Sequence, residues 1–402
     1  MTSAPTWKTQ IDQLVFFDDE GQAHLSPFTY TRPSALIRCG ILTLAEKWIK
    51  RISSKNIGYK TEKHLSPKFG YQTASSDTLW INGRALATDQ LASTCLSLNP
   101  GESLISTEGA LIAVRSEASS PPAQTKDYKT AKASFLTRCW DIFLQNGAQI
   151  QADFELLTKD AQSATLDQSN RVHGKYPVFL APGAKASHSI FNTNDGPIYL
   201  DKDAEIMEGC LVRGPFSLGE KGVLKMGAKI YGGSTIGPGS KVGGEVNNSV
   251  LFGNSNKAHD GYLGNAVLGE WCNLGADTNN SNLKNNYSEV RVWNYALQDY
   301  ENTGLQFCGL FMGDHSKAGI NTMFNTGTVV GVSSNVFGSG FPRKFIPSFA
   351  WGGADGLQPF NKEKALELAK AVMQRRGLTL DSDSIKILES AMHADSGHFN
   401  RL

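Results

Sequence analysis

An apolar run near the start of the chain, IDQLVFFDD, ends in two adjacent carboxylates, Asp18 and Asp19. Paired carboxylates at a strand end can hold Mg²⁺ for phosphate chemistry; the plainer reading is a solvated strand terminus. Much further along, His259 follows Lys257 by two residues and precedes Tyr262 by three. An imidazole in such a stretch can take and return a proton near neutral pH, or can simply sit on a surface loop. Asp314, His315 and Ser316 lie together in the same way, with a buried structural histidine as the alternative. The six cysteines are far apart and form no CxxC pair, so neither a zinc site nor a disulfide framework is expected. Their spacing fits buried thiols in a reducing cytosol.

These groups need a scaffold, and a strict period supplies one. Leu200, Ile206, Val212, Leu218, Leu224, Ile230, Ile236 and Val242 are spaced six apart without a miss. Two places before each stands a mostly small or apolar residue, among them Ile198, Cys210, Gly222 and Ser240. Neither a 3.6-residue helix nor a two-residue strand alternation generates that spacing. A period of six predicts a hexapeptide parallel β-helix, in which three short strands make one triangular coil and the aliphatic residue points inward. The glycines, concentrated between about 183 and 353, suit its corners. The phase slips after Val242 and restarts with Tyr262, Leu268 and Leu274, which predicts a loop bulging out over about 243–261. A second interruption, about 276–309, is Asn-rich and then aromatic. The repeat resumes with Ala318/Ile320, Phe324/Thr326 and Val330/Val332. Interruptions of a solenoid are where function is expected, and His259 lies in one.

Residues 1–170 read as a separate α/β unit, with strands in IDQLVFFDD and TLWING and an amphipathic helix in GILTLAEKWIKRI. A polar linker with a Pro-Pro stop is expected over 116–130. The coil is expected over 175–355 and C-terminal helices over 356–402. Ala365, Leu368, Ala369, Val372 and Met373 share one helix face, with Asn361 as N-cap and Gly377 as the stop, and a second short helix is expected near 382–393. These helices are expected to cap the open end of the coil rather than to form a site. With 39 Lys+Arg against 38 Asp+Glu, the net charge of +1 gives no reason to expect nucleic acid or a membrane surface as partner. No apolar run reaches the roughly 18 residues of a membrane span. The first residues, MTSAPTWKTQID, lack the charged-then-apolar pattern of a secretion signal, so a cytoplasmic protein is expected.

The stretch Asn256-Lys257-Ala258-His259-Asp260-Gly261-Tyr262-Leu263-Gly264, followed by Cys272-Asn273-Leu274-Gly275-Ala276-Asp277-Thr278, resembles a known enzyme family. It is similar to the acetyltransferase half of the bifunctional N-acetylglucosamine-1-phosphate uridyltransferase / glucosamine-1-phosphate N-acetyltransferases. There KAxHxxYLG and NxGAGT segments line the active site of a left-handed β-helix. FDDEGQAHLSPFTYTRPSALIRCGILTLAEKW, CWDIF and GLQFCGLFMGDHSKAGINTMFNTGTVVG resemble the sugar nucleotidyltransferase family known from Bacteroidetes-type bacteria, over nearly the whole chain. The resemblance implies an acyltransferase using acetyl-CoA, with His259 as the base that takes the proton of the attacking amine. It places Lys257, Tyr262 and Asn273 near the sugar, and Ala276 and Asn282 near acetyl-CoA. Asp314, His315 and Ser316 replace a segment that touches the pantetheine arm. The family's sugar-binding lysine is replaced by Asn247-Asn248, and its phosphate-gripping arginine has no clean match, Lys229 and Arg213 being nearest. The acceptor is therefore left open between an amino-sugar phosphate and a nucleotide sugar. Such enzymes are trimers with sites between neighbouring coils, so a homotrimer is implied.

The first unit resembles a truncated sugar nucleotidyltransferase. Pro27-Phe28-Thr29-Tyr30-Thr31-Arg32-Pro33 keeps the Pro/Thr frame of that family's PxTxxxPK segment. Asp18-Asp19-Glu20-Gly21 stands in place of its Gly-x-Gly-Thr-Arg loop, Ser34 in place of the lysine, and Asn82-Gly83-Arg84 in place of the Gly-Asp that holds Mg²⁺. If this unit is active, Asp18, Asp19, Arg32 and Arg84 are the residues that would meet the nucleotide, with Mg²⁺ at the aspartates. The leading reading is an acyl-CoA-dependent transferase acting on an amino-sugar phosphate or nucleotide sugar. The alternatives are a sugar-1-phosphate nucleotidyltransferase using an NTP and Mg²⁺, and a non-catalytic scaffold that binds sugar nucleotides.

Overall fold

A computed structural model describes residues 11–119, 123 and 125–401; the Pro-Pro stop of the expected linker, Pro121-Pro122, lies outside the described residues. The chain forms two compact units, one of residues up to 25, 32–37 and 42–137, the other of 26–31, 38–41 and 138–402.

The first unit is built on a sheet of order β2-β1-β3-β5-β4-β6. Its strands are β1 (Ile11–Phe17), β2 (Ser54–Lys60), β3 (Thr78–Asn82), β4 (Ser103–Ser106), β5 (Leu111–Ser116) and β6 (Tyr128–Ala131). Every residue of β3 is buried, as its uninterrupted apolar run requires for an inner strand. Thr43 and Glu46 form a capping box that starts α1 (Leu44–Ile49), and buried Trp48 donates its indole N–H to Ala85 O at 3.0 Å. A second helix, α2 (Asp89–Leu96), is capped by Thr88. Parallel pairing of β1 with β3 puts Phe17 opposite Asn82, so Asp18, Asp19 and Arg84 emerge at one sheet edge.

The second unit carries the parallel β-helix of hexapeptide repeats that the sequence implies, followed by C-terminal helices. Partners in the register lie eighteen residues apart, which is three strands of six: Leu200 pairs Leu218, Leu218 pairs Ile236, Ile206 pairs Leu224, and Leu224 pairs Val242. All eight residues of the six-residue series are buried in one interior cluster.

The expected bulge over 243–261 does not exist. The chain stays in the coil through Glu245–Asn247, Val250–Gly253 and Asn256–Lys257. The coil shortens instead: Ile236 pairs Leu251 and Val242 pairs Lys257, each fifteen residues on. Tight corners take up the difference. At Gly244, φ is +69°, and a Cβ would lie 2.8 Å from both Gly261 O and Lys257 Nζ. Two phase readings are corrected with it. Leu263, not Tyr262, joins the interior, and after the second interruption Ala318, Phe324 and Val330 point inward while Ile320 is 70% exposed. The second interruption itself is an excursion, holding the antiparallel hairpin Arg291–Asn294/Asp299–Asn302.

The first unit closes at Thr137, short of the expected 170, because α3 (Asp141–Thr158) packs on the coil. Phe154 stacks edge-on against Phe179 and Tyr199. Fully buried Asn146 donates to Gly233 O at 2.7 Å and Thr235 Oγ1 at 3.0 Å, and its carbonyl oxygen accepts from Gly40 N at 2.7 Å. Asn146→Ala would strand these groups in a dry interface and should cost about 3 kcal/mol, read as a lower denaturation midpoint of the second unit.

Helix α4 (Lys362–Gln374) starts at Asn361, which accepts from Lys364 N, and ends before Gly377 at φ +72°. Helix α5 (Ser382–Asp395) follows. The pair packs through Ala365, Ala369, Leu388 and Ala391 in one buried cluster with Val332 and Phe349. The end of α4 lies along a coil face, where Arg376 donates to Gly239 O and, at 3.2 Å, to Asn256 Oδ1.

Candidate active site

His259 sits on a coil corner, between the strand Asn256–Lys257 of one face and Tyr262–Gly264 of the next. The corner is tight: Gly261 has φ +116°, and a Cβ there would meet Thr278 O at 2.3 Å. Lys257 fixes it from inside, donating its Nζ to His259 O at 2.6 Å. That lysine is 2% exposed and occupies an interior position where the pattern calls for an aliphatic residue. Burial pulls its amine down to about 8, partly opposed by Asp260 and Asp277 and reinforced by Lys229. The His259 side chain itself is exposed.

On one side of the corner opens a groove of about 720 Å³. Its wall on the coil is a single outward row: Lys241 pairs Asn256, Asn256 pairs Asn273, and Asn273 pairs Lys317. Ala276 and Ile320 add apolar surface, and α4 supplies the opposite wall through Val372, Arg375 and Arg376. Lys317 donates to His315 O at 3.0 Å and Trp271 O at 3.3 Å, and burial brings its amine down to about 8. On the other side of the corner a smaller hollow of about 340 Å³ is bounded by Lys225, Gly243, Asp260 and Asp277.

Of the expected acyl-transfer residues, His259, Asn273 and Ala276 line the larger groove. Tyr262 and Asn282 come together around the corner, where the Asn282 amide donates to Tyr262 OH at 3.0 Å and Asn265 Oδ1 at 2.8 Å. Burial raises the Tyr262 phenol above its ordinary range, so it stays protonated. Lys229 shares the outward row of Tyr262, one rung beyond Glu245, and Arg213 projects from the same face beside Asn192. Asp314 and Ser316 are buried in internal bonds. Asp314 accepts from Thr31 Oγ1 at 2.8 Å and Glu270 N at 2.9 Å, and the Ser316 hydroxyl donates to Gly331 O. His315 stacks on Trp271 with ring centroids 6.0 Å apart. The neighbour that reaches the groove is Lys317, which sequence reasoning passed over together with Lys241, Arg375 and Arg376.

In the first unit two of the expected nucleotide residues, Asp19 and Arg84, satisfy each other. Asp19 accepts from Arg84 Nε at 2.7 Å and Nη2 at 2.6 Å and from Asn82 Nδ2 at 2.7 Å. The guanidinium covers Gly21 so closely that a Cβ there would lie 2.3 Å from Arg84 Cζ. Burial raises the Asp18 carboxyl despite bonds from Ser34 and Thr61. Arg32 is buried. Among the described residues, no three His, Cys, Asp or Glu side chains are grouped to hold a metal ion, and no helix is long and apolar enough to cross a membrane.

Residues 14–162 match the family described as sugar nucleotidyl transferase. A bifunctional protein GlmU of Methanocaldococcus jannaschii is 32% identical over 87 residues, 22% of this chain and 21% of that one. A bifunctional sugar-1-phosphate nucleotidylyltransferase/acetyltransferase of Sulfurisphaera tokodaii is 28% identical over 144 residues, 35% of each chain. The chain thus spans about a fifth to a third of the length of these curated relatives. A solved UDP-N-acetylglucosamine acyltransferase of Arabidopsis covers 54% of this chain, and 78% of its own, at 16% identity and a TM-score of 0.23. The resemblance to sugar nucleotidyltransferases and to the bifunctional uridyltransferase/acetyltransferases read from the motifs is borne out by these relatives.

Proposed function

We propose that the coil transfers an acyl group, acetyl in the simplest case, from a CoA thioester to the amino group of an amino-sugar phosphate or nucleotide sugar. The observation that carries this reading is His259, exposed on a braced corner and opening onto a groove whose floor holds Asn273 and Ala276. His259 takes a proton from the ammonium group, the freed amine attacks the thioester carbonyl, and as the C–S bond breaks the nitrogen's second proton passes to the leaving sulfur, releasing CoA as its thiol. Asn273 lies one rung from Asn256 beside the corner, within reach of a sugar hydroxyl. Tyr262, Asn282, Lys229 and Arg213 lie around the corner on the adjoining face. In a homotrimer that face would meet a neighbour's groove, which is how these residues would join one shared site. Six buried thiols and the absence of disulfides among the described cysteines support a reducing, cytoplasmic setting.

Nucleotidyl transfer by the first unit is the second reading, favoured by the family match over residues 14–162. The Asp19–Arg84 pair speaks against it, since it neutralises the carboxylate that Mg²⁺ would need. A non-catalytic sugar-nucleotide scaffold predicts affinity without turnover. The test is thiol release from acetyl-CoA with a panel of amino-sugar phosphates and UDP-amino sugars. CoA release with one acceptor, unchanged by EDTA, is the expected result. No release with any acceptor would overturn the acyl-transfer reading, and pyrophosphate release from an NTP and a sugar 1-phosphate would move the activity to the first unit.

A further inference from the structure

Charge in the larger groove is one-sided. Lys241, Lys317, Arg375 and Arg376 line it, together with His259, and no lining residue is acidic. Among the described residues none of the four cations is paired with a carboxylate; Arg376 and Lys317 spend donors on carbonyl and amide oxygens and keep others in hand. Crowding like charges without a counter-charge is unfavourable unless an anion arrives. Burial, with Arg375 beside it, lowers the Arg376 guanidinium, and burial lowers the Lys317 amine. Geometry extends the argument. Lys241 and Lys317 are three rungs apart on one row, roughly 14 Å at the spacing of β-strands, with Arg376 anchored between them at Asn256. A single phosphate spans a small part of that distance. An extended ligand with adjacent phosphates and a nucleoside fits the length, with Trp271 and Ile320 offering apolar surface beside it.

We propose that this groove binds the diphosphate of a nucleotide, clamped between the cation row of the coil and Arg375 and Arg376 at the C-terminal end of helix α4. Helix α4 is then a wall of the binding site, and its role goes beyond capping. Two ligands of the proposed reaction carry such a diphosphate, CoA and a nucleotide sugar; the inference deepens the acyl-transfer reading and rests on it for the ligand's role, while its test needs only binding.

Calorimetric titration of the full chain with CoA, a uridine diphosphate sugar, inorganic pyrophosphate and inorganic phosphate tests it. Pyrophosphate and at least one of the two nucleotides should bind at least about tenfold more tightly than phosphate, with an affinity that falls steeply with salt. Tighter binding of CoA assigns the groove to the donor, and tighter binding of the sugar nucleotide assigns it to the acceptor. Lys317→Met and Arg375→Gln should each weaken binding by about tenfold or more; exposed Arg375 can be replaced without disturbing the fold, which keeps the test sound if the buried lysine cannot. Equal affinity for phosphate and the diphosphates, or affinity unchanged in Arg375→Gln, would overturn the inference. Diphosphate binding without thiol release in the unaltered protein would sink acyl transfer and leave the site standing. Thiol release with no diphosphate preference would do the reverse.

Discussion

Replacing His259 by alanine should lower the rate of CoA release by roughly 10²–10⁴, the usual contribution of a positioned general base. Ligand affinity and stability should barely change. The side chain is exposed, and among the described residues it makes no hydrogen bond; what holds the corner is its backbone carbonyl, which alanine keeps. Surface substitutions of that kind stay within about 0.5 kcal/mol of the parent. The combination of intact folding, intact binding and lost turnover therefore separates a base from a structural residue. Stopped assays of thiol release under saturating acceptor, with a denaturant melt of each protein, give both readings. A rate within about threefold of the parent would leave His259 as a surface histidine and the proton transfer without an owner.

Much of the coil was legible because a period needs no partner to be seen. The eight aliphatic residues from Leu200 to Val242 fix three strands per turn and their inward phase, and the register follows by counting eighteen. The reading failed where the coil changed circumference. A fixed period cannot show that Gly243-Gly244 cut a corner short, so Val246, Leu251 and Lys257 looked like loop when they continue the interior row. The same slip exchanged Tyr262 for Leu263. On the second face, a correct register would have exposed the binding row at once, because Lys241, Asn256, Asn273 and Lys317 each directly precede an inward residue. What no register could show is the opposite wall. Arg375 and Arg376 follow a helix that lies beyond the whole row in the chain, and only tertiary packing brings Arg376 to Asn256. Similarly, Asp19 and Arg84 stand out in the sequence by type, but their saturation of each other depends on the β1–β3 register and on the bare surface of Gly21.

Lys257→Met should make the protein more stable and less active. The lysine is stacked in the interior row above Val242, with Leu274 next in line, while its amine reaches the corner at His259 O. Burial lowers its amine from the ordinary 10.5 to about 8, so at pH 7 the folded chain still holds a proton that the environment disfavours. Between pH 8 and 10.5 the unfolded chain binds the proton more tightly than the folded one. Stability should accordingly be flat in this group below about pH 8 and rise across that window as the penalty is relieved. Methionine has nearly the same length and no charge, so the variant should gain about 2 kcal/mol at pH 7 and lose the alkaline rise. Activity should move the other way. Without Nζ the carbonyl of His259 loses its donor, the corner loosens, and the imidazole is held in productive geometry less of the time. The expected signature is a kcat lower by about tenfold or more at an unchanged KM for the acyl donor, because the groove wall is untouched. Denaturant midpoints at pH 7 and pH 10, measured beside steady-state kinetics, check both halves. A methionine variant that is less stable and fully active would make Lys257 part of the scaffold alone. A variant that is stabilised and slowed shows a coil that keeps a charged residue in its core to hold its base in place.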